Sequence, residues 1–142
     1  HDNFDLKTSH VIPALIRKID AAHMAGEPLK VWGTGKASRE FLHVRDFCGA
    51  VVKAIQFKEV YTEPINIGTG YEVTIENLIR ELVTQFGFSG DVRYDQTKPD
   101  GQPRRSLSIE RAADKLGYRC NVPLCDGLAE VIQWYRDNKE TL

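Results

Sequence analysis

The chain has 142 residues, 42% of them hydrophobic, and a formal net charge of −1. This length and apolar content are enough for one compact domain with its own core. The nearly equal acidic and basic counts give no overall attraction to nucleic acid, and no apolar run approaches the roughly 20 residues that span a bilayer. We therefore expect neither nucleic acid nor a membrane as a partner.

The cysteines and the first residues set further bounds. Cys48, Cys120 and Cys125 are an odd number without metal-site spacing, so they indicate buried thiols in a reducing, cytoplasmic setting and no bound metal. The opening residues 1–5 are polar, include turn-forming residues and contain no initiator Met. Such a start is typical of the interior of a longer protein, so residues 1–142 are interpreted as one portion of it.

The first third of the chain alternates helix and strand patterns. A helix is predicted to begin after Ser9 as its N-cap and to end at Gly26. Its apolar positions recur at helical spacing and are Val11, Leu15, Ile16 and Ile19. Residues 29–32 form a short strand candidate, and the alternation in residues 39–44 predicts a second strand.

The middle of the chain predicts two helices around a short strand. Asp46 is the expected cap of the first helix, and its predicted buried stripe consists of Ala50, Val51, Ala54 and Ile55. Residues 64–68 resemble a short buried strand that ends in a glycine turn. Thr74 is predicted to start a strongly amphipathic helix that Gly87 stops.

The last third contains a strand, a polar loop and two helices. Residues 92–94 are predicted as a strand, and the loop 98–105 follows it. Ser108 is the expected cap of a short helix that ends near Gly117, and a final helix is predicted over residues 124–138. The whole is a mixed α/β portion with few and short strands. Such strands rarely complete a sheet alone, so a structural neighbour is expected.

The segment from Trp32 to Arg39 is the first candidate site. Its two glycines allow close approach of a ligand, Lys36 and Arg39 can meet phosphates, and Trp32 offers a flat face for a base or sugar. A surface hairpin with a half-buried Trp explains the same residues. Neither this segment nor Gly68-Thr69-Gly70 matches the dinucleotide fingerprint, because the third glycine is absent.

The loop of residues 98–105 is the second candidate. Its prolines stiffen it and Gly101 permits a tight turn, so charged side chains take fixed positions. Asp100 could accept hydrogen bonds from ribose or sugar hydroxyls, while Lys98 and Arg104 could face phosphate. The alternative is a solvated turn between a strand and a helix.

His10 is the third candidate. It stands at a predicted helix start, where an imidazole can donate to an anion or act in acid-base chemistry. A partly exposed histidine without a role is the competing interpretation.

Several strings, taken together and in order, resemble the carboxy-terminal part of the extended short-chain dehydrogenase/reductase family of nucleotide-sugar epimerases and dehydratases. They are Asp2-Asn3-Phe4, Ser9-His10-Val11-Ile12-Pro13-Ala14-Leu15-Ile16-Arg17, Val31-Trp32-Gly33-Thr34-Gly35, Arg39-Glu40-Phe41-Leu42-His43-Val44, Asn66-Ile67-Gly68-Thr69-Gly70, Lys98-Pro99-Asp100-Gly101 and Pro103-Arg104. The resemblance implies an α/β fold: the mixed substrate-binding portion of a Rossmann-type enzyme whose cofactor domain lies outside residues 1–142.

The resemblance also implies roles for individual residues. His10 matches the family's active-site histidine, which lies near the nicotinamide and is thought to protonate the sugar, so it is a catalytic and cofactor-contact candidate. Trp32, Arg39 and Asp100 match substrate-contacting positions, with Arg39 at the diphosphate. Lys18 stands where relatives commonly have Arg, which keeps the charge and loses the bidentate grip.

The family's NADP is expected to bind mainly to an amino-terminal half that carries a glycine-rich loop and a Tyr-x-x-x-Lys pair. Tyr94 and Lys98, like Tyr135 and Lys139, match only the spacing of that pair and lack its context. The isolated chain is therefore expected to be inactive, and the full enzyme is expected to be a homodimer.

The resulting prediction is the substrate-binding part of an NADP-dependent 3,5-epimerase and 4-reductase that acts on a GDP-4-keto-6-deoxy sugar. Another nucleotide-sugar epimerase or dehydratase is the nearest alternative. A non-enzymatic nucleotide-sugar binding module is the alternative from a different class. A third possibility is an oligomer that covers exposed strand edges and apolar surface with a second copy.

Overall fold

The computed structural model describes residues 2–57 and 62–142; His1, which opens the polar first segment, lies outside these ranges. The described residues form a mixed α/β arrangement, as predicted. Its helices and strands in chain order are α1 Val11–Ala25, β1 Leu29–Trp32, β2 Ser38–Arg39, α2 Val44–Gln56, β3 Val73–Thr74, α3 Ile75–Phe86, β4 Val92–Asp95, β5 Arg104–Arg105, α4 Glu110–Leu116 and α5 Leu124–Asn138.

The strands form two small sheets. β1 and β4 pair in parallel, with Leu29 opposite Val92 and Trp32 opposite Asp95. β2 lies between β3, to which it is antiparallel, and β5, to which it is parallel. Because β1 and β2 are joined only by residues 33–37, the carboxyl end of β1 is held beside the second sheet.

The main core lies between the first sheet and three helices. α1 packs against β1 and α3, and α3 also contacts α5. The largest fully buried side chains of this cluster are Phe4, Ile16, Ile19, Leu29, Leu78, Ile79, Leu82 and Leu128. Burial of each such side chain contributes about 1.5–3 kcal/mol relative to exposure, so this cluster fixes the direction of β1 and α1.

The predicted ends of α3 and α5 are confirmed. The hydroxyl of Thr74 accepts a hydrogen bond from the Asn77 N–H at 3.1 Å, and Gly87 ends α3 in the left-handed conformation. α1 differs from the prediction, because His10 occupies the N-cap position and makes no side-chain capping bond. The Ser9 hydroxyl is buried and has no hydrogen-bond partner in the described part of the chain. Ile109, not Ser108, precedes α4.

Two predicted strands are wrong. Of the predicted strand 39–44, Arg39 pairs in a sheet together with the preceding Ser38. Residues 40–43 leave the sheet, and His43 caps α2. Residues 64–68 form no strand ladder with any described residue. A strand needs a neighbour to accept its backbone hydrogen bonds, and alternation in the sequence does not supply one.

The predicted buried stripe of α2 is half wrong. Ala50 is buried and Ala54 packs partly buried against the same cluster, whereas Val51 and Ile55 are 41% and 78% exposed. The helix is amphipathic as predicted, but its apolar side faces away from the described core. We call this surface the apolar face of α2, and it consists of Val44, Phe47, Val51, Val52 and Ile55.

The expected burial of all three thiols is not observed. Cys48 and Cys125 are exposed because they lie on outward faces of α2 and α5. Cys120 is half-buried, and burial, together with its hydrogen bond to Asp46, raises the pKa of its thiol to about 11. None of the three forms a disulfide.

Asp46 was expected to cap α2, and the structure gives this role to His43. The Nδ1 atom of His43 accepts the N–H of Arg45 at 3.2 Å. Asp46 lies in the first turn of α2, where the positive end of the helix dipole stabilises a carboxylate.

The buried carboxylate of Asp46 joins α2 to the loop before α5. Its Oδ2 atom accepts the N–H of Asn121 at 3.1 Å, the N–H of Val122 at 2.9 Å and the thiol of Cys120 at 3.2 Å. Burial raises the pKa of Asp46, but hydrogen bonds from Val122, Cys120 and Asn121 outweigh it and hold the pKa below its ordinary value. The charged form is therefore the one that stabilises the fold.

We expect Asp46→Ala to lower the free energy of unfolding at pH 7 by about 2–3 kcal/mol, because two partly buried hydrogen bonds lose their charged acceptor. Because the folded pKa is depressed, this contribution is complete above the unfolded pKa and is lost as the pH falls through the folded one. Urea unfolding between pH 7 and pH 3 measures both effects. Asp114→Ala, at an exposed site on α4, is the control. An equal loss in both variants would contradict the structural role of Asp46.

Candidate functional site

The second sheet brings two distant segments together. Ser38 is opposite Arg104 in the β2–β5 pair, and the N–H of Ser38 donates to the Pro103 carbonyl at 2.9 Å. The loop 98–103 therefore lies beside the turn 33–37. These residues belong to the two segments, 98–105 and 32–39, that the sequence predicts to bind substrate. Backbone pairing between β2 and β5 brings these two segments together although they are far apart in the sequence.

Asp100 contacts the turn directly. Its Oδ1 atom accepts the Thr34 N–H at 2.5 Å, and its Oδ2 atom accepts the Thr34 hydroxyl at 2.7 Å. Gly33 has a φ of +77°, and a Cβ atom there would clash with the Asp100 carboxylate. The hydrogen bonds from the Thr34 hydroxyl and N–H lower the pKa of Asp100. We call this contact the Asp100–Thr34 clasp.

Arg39 lies next to the same loop. Its Nη1 atom donates to the carbonyl of Ser38 at 2.6 Å. Gly101, with a φ of +74°, comes so near that a Cβ atom on it would lie 3.7 Å from Nη2 of Arg39. Arg39 is half-buried and lies at the edge where both segments meet.

Arg104 is engaged differently from the expectation that it faces phosphate. Its Nε atom donates to both carboxylate oxygens of Glu72, at 2.8 and 2.9 Å, and Glu72 also accepts the Ser38 hydroxyl at 2.8 Å. The hydrogen bonds from Arg104 and then Ser38 lower the pKa of Glu72. Arg104 thus links the strands β2, β3 and β5 through a residue that sequence reasoning had not singled out.

Lys18 and Trp32 meet at the carboxyl end of β1. The Nζ atom of Lys18 lies 4.9 Å from the centroid of the Trp32 ring, within the range of a cation–π contact. Trp32 is 64% exposed although it ends a strand of the core sheet. A large aromatic ring that stays exposed beside a cation is suited to contact a ligand.

His10 is exposed at the start of α1. Lys18 lies eight residues further along the same helix, which is about 12 Å along its axis. The structure therefore brings Lys18 to Trp32, and it brings Arg39 and Asp100 to the adjoining turn and loop. His10 stands apart from them at the start of α1.

A separate groove of about 510 Å³ lies between the starts of α2 and α5. Phe41, Val44 and Leu128 contribute to its apolar lining, and His43 and Glu130 contribute polar groups. Ile12 on α1, two residues beyond His10, also lines it. The predicted substrate residues do not line this groove, so it is distinct from the surface around Trp32.

Neither glycine loop fits the pyrophosphate of a dinucleotide. The Asp100 carboxylate fills the space beside Gly33, and a Cβ atom on Gly68 would lie 2.6 Å from Oε2 of Glu40. A carboxylate in each place occupies the space through which a pyrophosphate would approach the glycine backbone. Within residues 2–57 and 62–142, no group of three or more His, Cys, Asp or Glu could hold a metal ion, and no helix is long and apolar enough to cross a membrane.

The first half of the chain matches a known family model. Residues 1–68 match the NAD dependent epimerase/dehydratase family. GDP-L-fucose synthase of Escherichia coli K12 is 40% identical over 99% of this chain, and GDP-L-fucose synthase 1 of Arabidopsis thaliana is 42% identical over 97%. These matches cover 46% and 42% of the two relatives. The chain thus spans less than half the length of the curated relatives it matches.

The solved structures agree. A GDP-L-fucose synthetase from Naegleria fowleri matches 99% of this chain and 43% of its own, with a TM-score of 0.90 at 29% identity. The same protein has also been solved bound to NADP. The chain is similar in sequence and in fold to GDP-L-fucose synthases. The family resemblance predicted from the short strings is therefore confirmed.

Sequence reasoning missed Thr34 and Glu72. Both act through partners far away in the chain: Thr34 through Asp100, and Glu72 through Ser38 and Arg104. Gly33, next to Thr34, indicates that another group can come close to this turn. The neighbouring residues in the sequence do not indicate that this group is the carboxylate of Asp100.

We expect Gly33→Ala to destabilise the chain more than Gly26→Ala. Both glycines have a left-handed conformation, which costs a substituted residue about 1–2 kcal/mol. A Cβ atom on Gly26 meets nothing within 4 Å, whereas on Gly33 it would displace the Asp100 carboxylate and cost about 1 kcal/mol more. Urea unfolding of both variants measures the difference. Equal losses would show that the turn and the loop are not in contact.

Proposed function

We propose that this chain supplies the GDP-sugar grip of an NADP-dependent epimerase/reductase that converts GDP-4-keto-6-deoxy-D-mannose to GDP-L-fucose. The observation that supports this most is the contact between Lys18 and Trp32 at the carboxyl end of β1, together with Arg39 beside the loop that Asp100 ties to the following turn. These side chains offer an aromatic face and two cations, which is what a nucleoside diphosphate needs.

Each residue has a proposed role. Trp32 packs against the nucleotide-sugar. Lys18, whose Nζ atom lies over the Trp32 ring, adds positive charge beside it. Arg39 pairs with the diphosphate through two parallel N–H groups, which only a guanidinium provides. Lys36, exposed on the same turn, adds a second charge near the phosphates. Asp100 belongs to the same surface.

His10 is proposed as the acid-base group. Its exposed position at the start of α1 leaves the imidazole free to reach a sugar bound across the surface. During epimerisation at C3 and C5, each enolate-like intermediate needs a proton returned to carbon on the opposite face. An imidazole holds and delivers a proton near neutral pH. The reduction of the C4 ketone follows.

We propose that the cofactor half lies outside this chain. The reduced cofactor, NADPH, would supply the hydride for the C4 reduction, and the described glycine loops do not fit it. The apolar face of α2 supports the proposal, because five exposed apolar side chains on one helix favour a covering neighbour. The free thiols support a reducing, cytoplasmic setting. A homodimer is proposed for the full enzyme on family resemblance alone.

A related activity is the main alternative. A GDP-mannoheptose C4 reductase from Campylobacter jejuni matches 96% of this chain with a TM-score of 0.81 at 25% identity. The same surface would serve that reaction, because Arg39 and Lys36 are proposed to contact the diphosphate that both substrates share. A stand-alone binding module would use the same surface without any chemistry.

We expect the chain to bind GDP, and Arg39→Ala to weaken that binding about tenfold, because a charge-assisted bidentate contact is lost. Arg39→Lys should fall between the two, since it keeps the charge without the fork. Isothermal titration calorimetry measures the affinity of each variant for GDP. UDP and dTDP serve as comparison ligands that carry other bases. Added salt should weaken GDP binding.

The matched control is Arg93→Ala, which removes an exposed arginine of β4 that pairs with Asp91. It should leave GDP affinity unchanged. Equal binding by the wild-type chain and Arg39→Ala would refute the diphosphate role.

We expect no turnover by the isolated chain with GDP-4-keto-6-deoxymannose and NADPH, because its two Tyr-x-x-x-Lys matches lack the context of the catalytic pair and neither glycine loop fits the cofactor. NADPH absorbance at 340 nm is one reporter of turnover, and product analysis after prolonged incubation is another. Consumption above a no-protein background would overturn the proposed division between two halves.

A further inference from the structure

We propose that Glu72 is a positioning residue for the diphosphate grip: it holds the strand β2 in the place from which the guanidinium of Arg39 meets the ligand. This inference rests on the proposed function, because it assigns the residue that controls Arg39 within the same grip. It also gives a role to Arg104, which the sequence predicts to face phosphate and which the structure pairs with Glu72.

Glu72 and Arg39 belong to opposite faces of the second sheet. Paired residues of a ladder project their side chains to the same face, and successive residues of a strand alternate between faces. Ser38 is paired with Arg104 in β5, so Arg39, the next residue, projects to the other face. Glu72 bonds to both Ser38 and Arg104 and therefore lies on their face. An effect of Glu72 on a ligand at Arg39 is thus expected to pass through the strands.

The carboxylate of Glu72 joins all three strands of this sheet. It directly precedes β3, and it accepts Nε of Arg104 on both oxygens at 2.8 and 2.9 Å, together with Nη2 of the same guanidinium. Its Oε2 atom also accepts the Ser38 hydroxyl at 2.8 Å. The Glu72 side chain is 25% exposed, so water competes less for it than in an ordinary surface ion pair. Such a bidentate, charge-assisted contact has a defined geometry.

Ser38 carries this tie onward to the guanidinium. Its hydroxyl donates to Glu72, its N–H donates to the Pro103 carbonyl at 2.9 Å, and its carbonyl accepts Nη1 of Arg39 at 2.6 Å. The guanidinium is therefore anchored to a backbone that Glu72 helps to hold. A two-residue strand is marginal on its own. Loss of the tie would give Arg39 freedom that ligand binding must then remove, which lowers the affinity.

The charge of Glu72 makes the positioning role distinguishable from a purely electrostatic one. A carboxylate near a diphosphate repels it, so loss of the charge alone would strengthen GDP binding. Glu72→Gln would also release Arg104, and a released guanidinium that faced phosphate would strengthen binding further. Positioning predicts the opposite sign, because affinity falls although negative charge is removed.

The experiment measures the GDP affinity of the chain by calorimetry. Glu72→Gln should weaken binding about fivefold, which corresponds to the cost of ordering one long side chain. Arg104→Gln should weaken it to a similar extent, and the two changes together should be no weaker than either, because each breaks the same tie. Exchange of the two charges, Glu72→Arg with Arg104→Glu, should recover most of the affinity.

A coupling measurement separates positioning from a general loosening of the fold. In the Arg39→Ala background, Glu72→Gln should cause no further loss of GDP affinity, because its effect passes through the guanidinium. Glu130→Gln is the matched control, since Glu130 accepts Nη2 of Arg45 on both oxygens between α5 and α2. It should leave GDP affinity unchanged. Unchanged or tighter binding by Glu72→Gln, or an additional loss without Arg39, would overturn the proposal.

Amide hydrogen exchange separates failure of the positioning role from failure of the proposed function, because it needs no ligand. In Glu72→Gln the Ser38 amide should exchange faster than in the wild type, while the Leu82 amide in the buried part of α3 keeps its rate. Unchanged Ser38 exchange alongside normal GDP binding would overturn the positioning role alone. Faster Ser38 exchange in the variant, with a wild-type chain that binds no GDP, would overturn the proposed function and the positioning role with it.

Discussion

The placement of the candidate site depends on the backbone pairing of a two-residue strand. β2 accepts neighbours on both sides, β3 antiparallel and β5 parallel, although it consists only of Ser38 and Arg39. This pairing sets the loop 98–103 beside the turn 33–37. A sheet this small is marginal on backbone bonds alone. The Arg104–Glu72 pair and the bond from Ser38 to Glu72 join its three strands through side chains.

The first sheet supplies the other fixed reference. β1 is buried against α1, so its carboxyl end and the outer turns of α1 keep one geometry. Trp32 and Lys18 come from these two elements and meet as a consequence. The grip is thus assembled from three parts that the core and the small sheet hold together: one helix, one strand end and one loop. No one of these three parts identifies the proposed binding surface by itself.

The apolar face of α2 is the part of the fold that the described residues leave open. Asp46 orients this helix by binding the loop before α5, so the outward direction of Phe47 and Ile55 is enforced. A helix fixed with its apolar side outward costs solubility unless something covers it. This agrees with a chain that spans less than half of its relatives.

The sequence by itself determined the mixed α/β class, the ends of α3 and α5, and the family resemblance, because helical periodicity, caps and short strings are local signals. It also selected Trp32, Arg39 and Asp100 from their residue types and glycine-containing loops, and Lys18 only by resemblance. The tertiary structure alone decided that Asp100 grips Thr34, that Arg104 faces Glu72, and that residues 64–68 form no ladder with described residues. These outcomes depend on partners far away in the chain. A pattern of neighbouring residues contains no information on which distant group will satisfy a carboxylate or a strand edge.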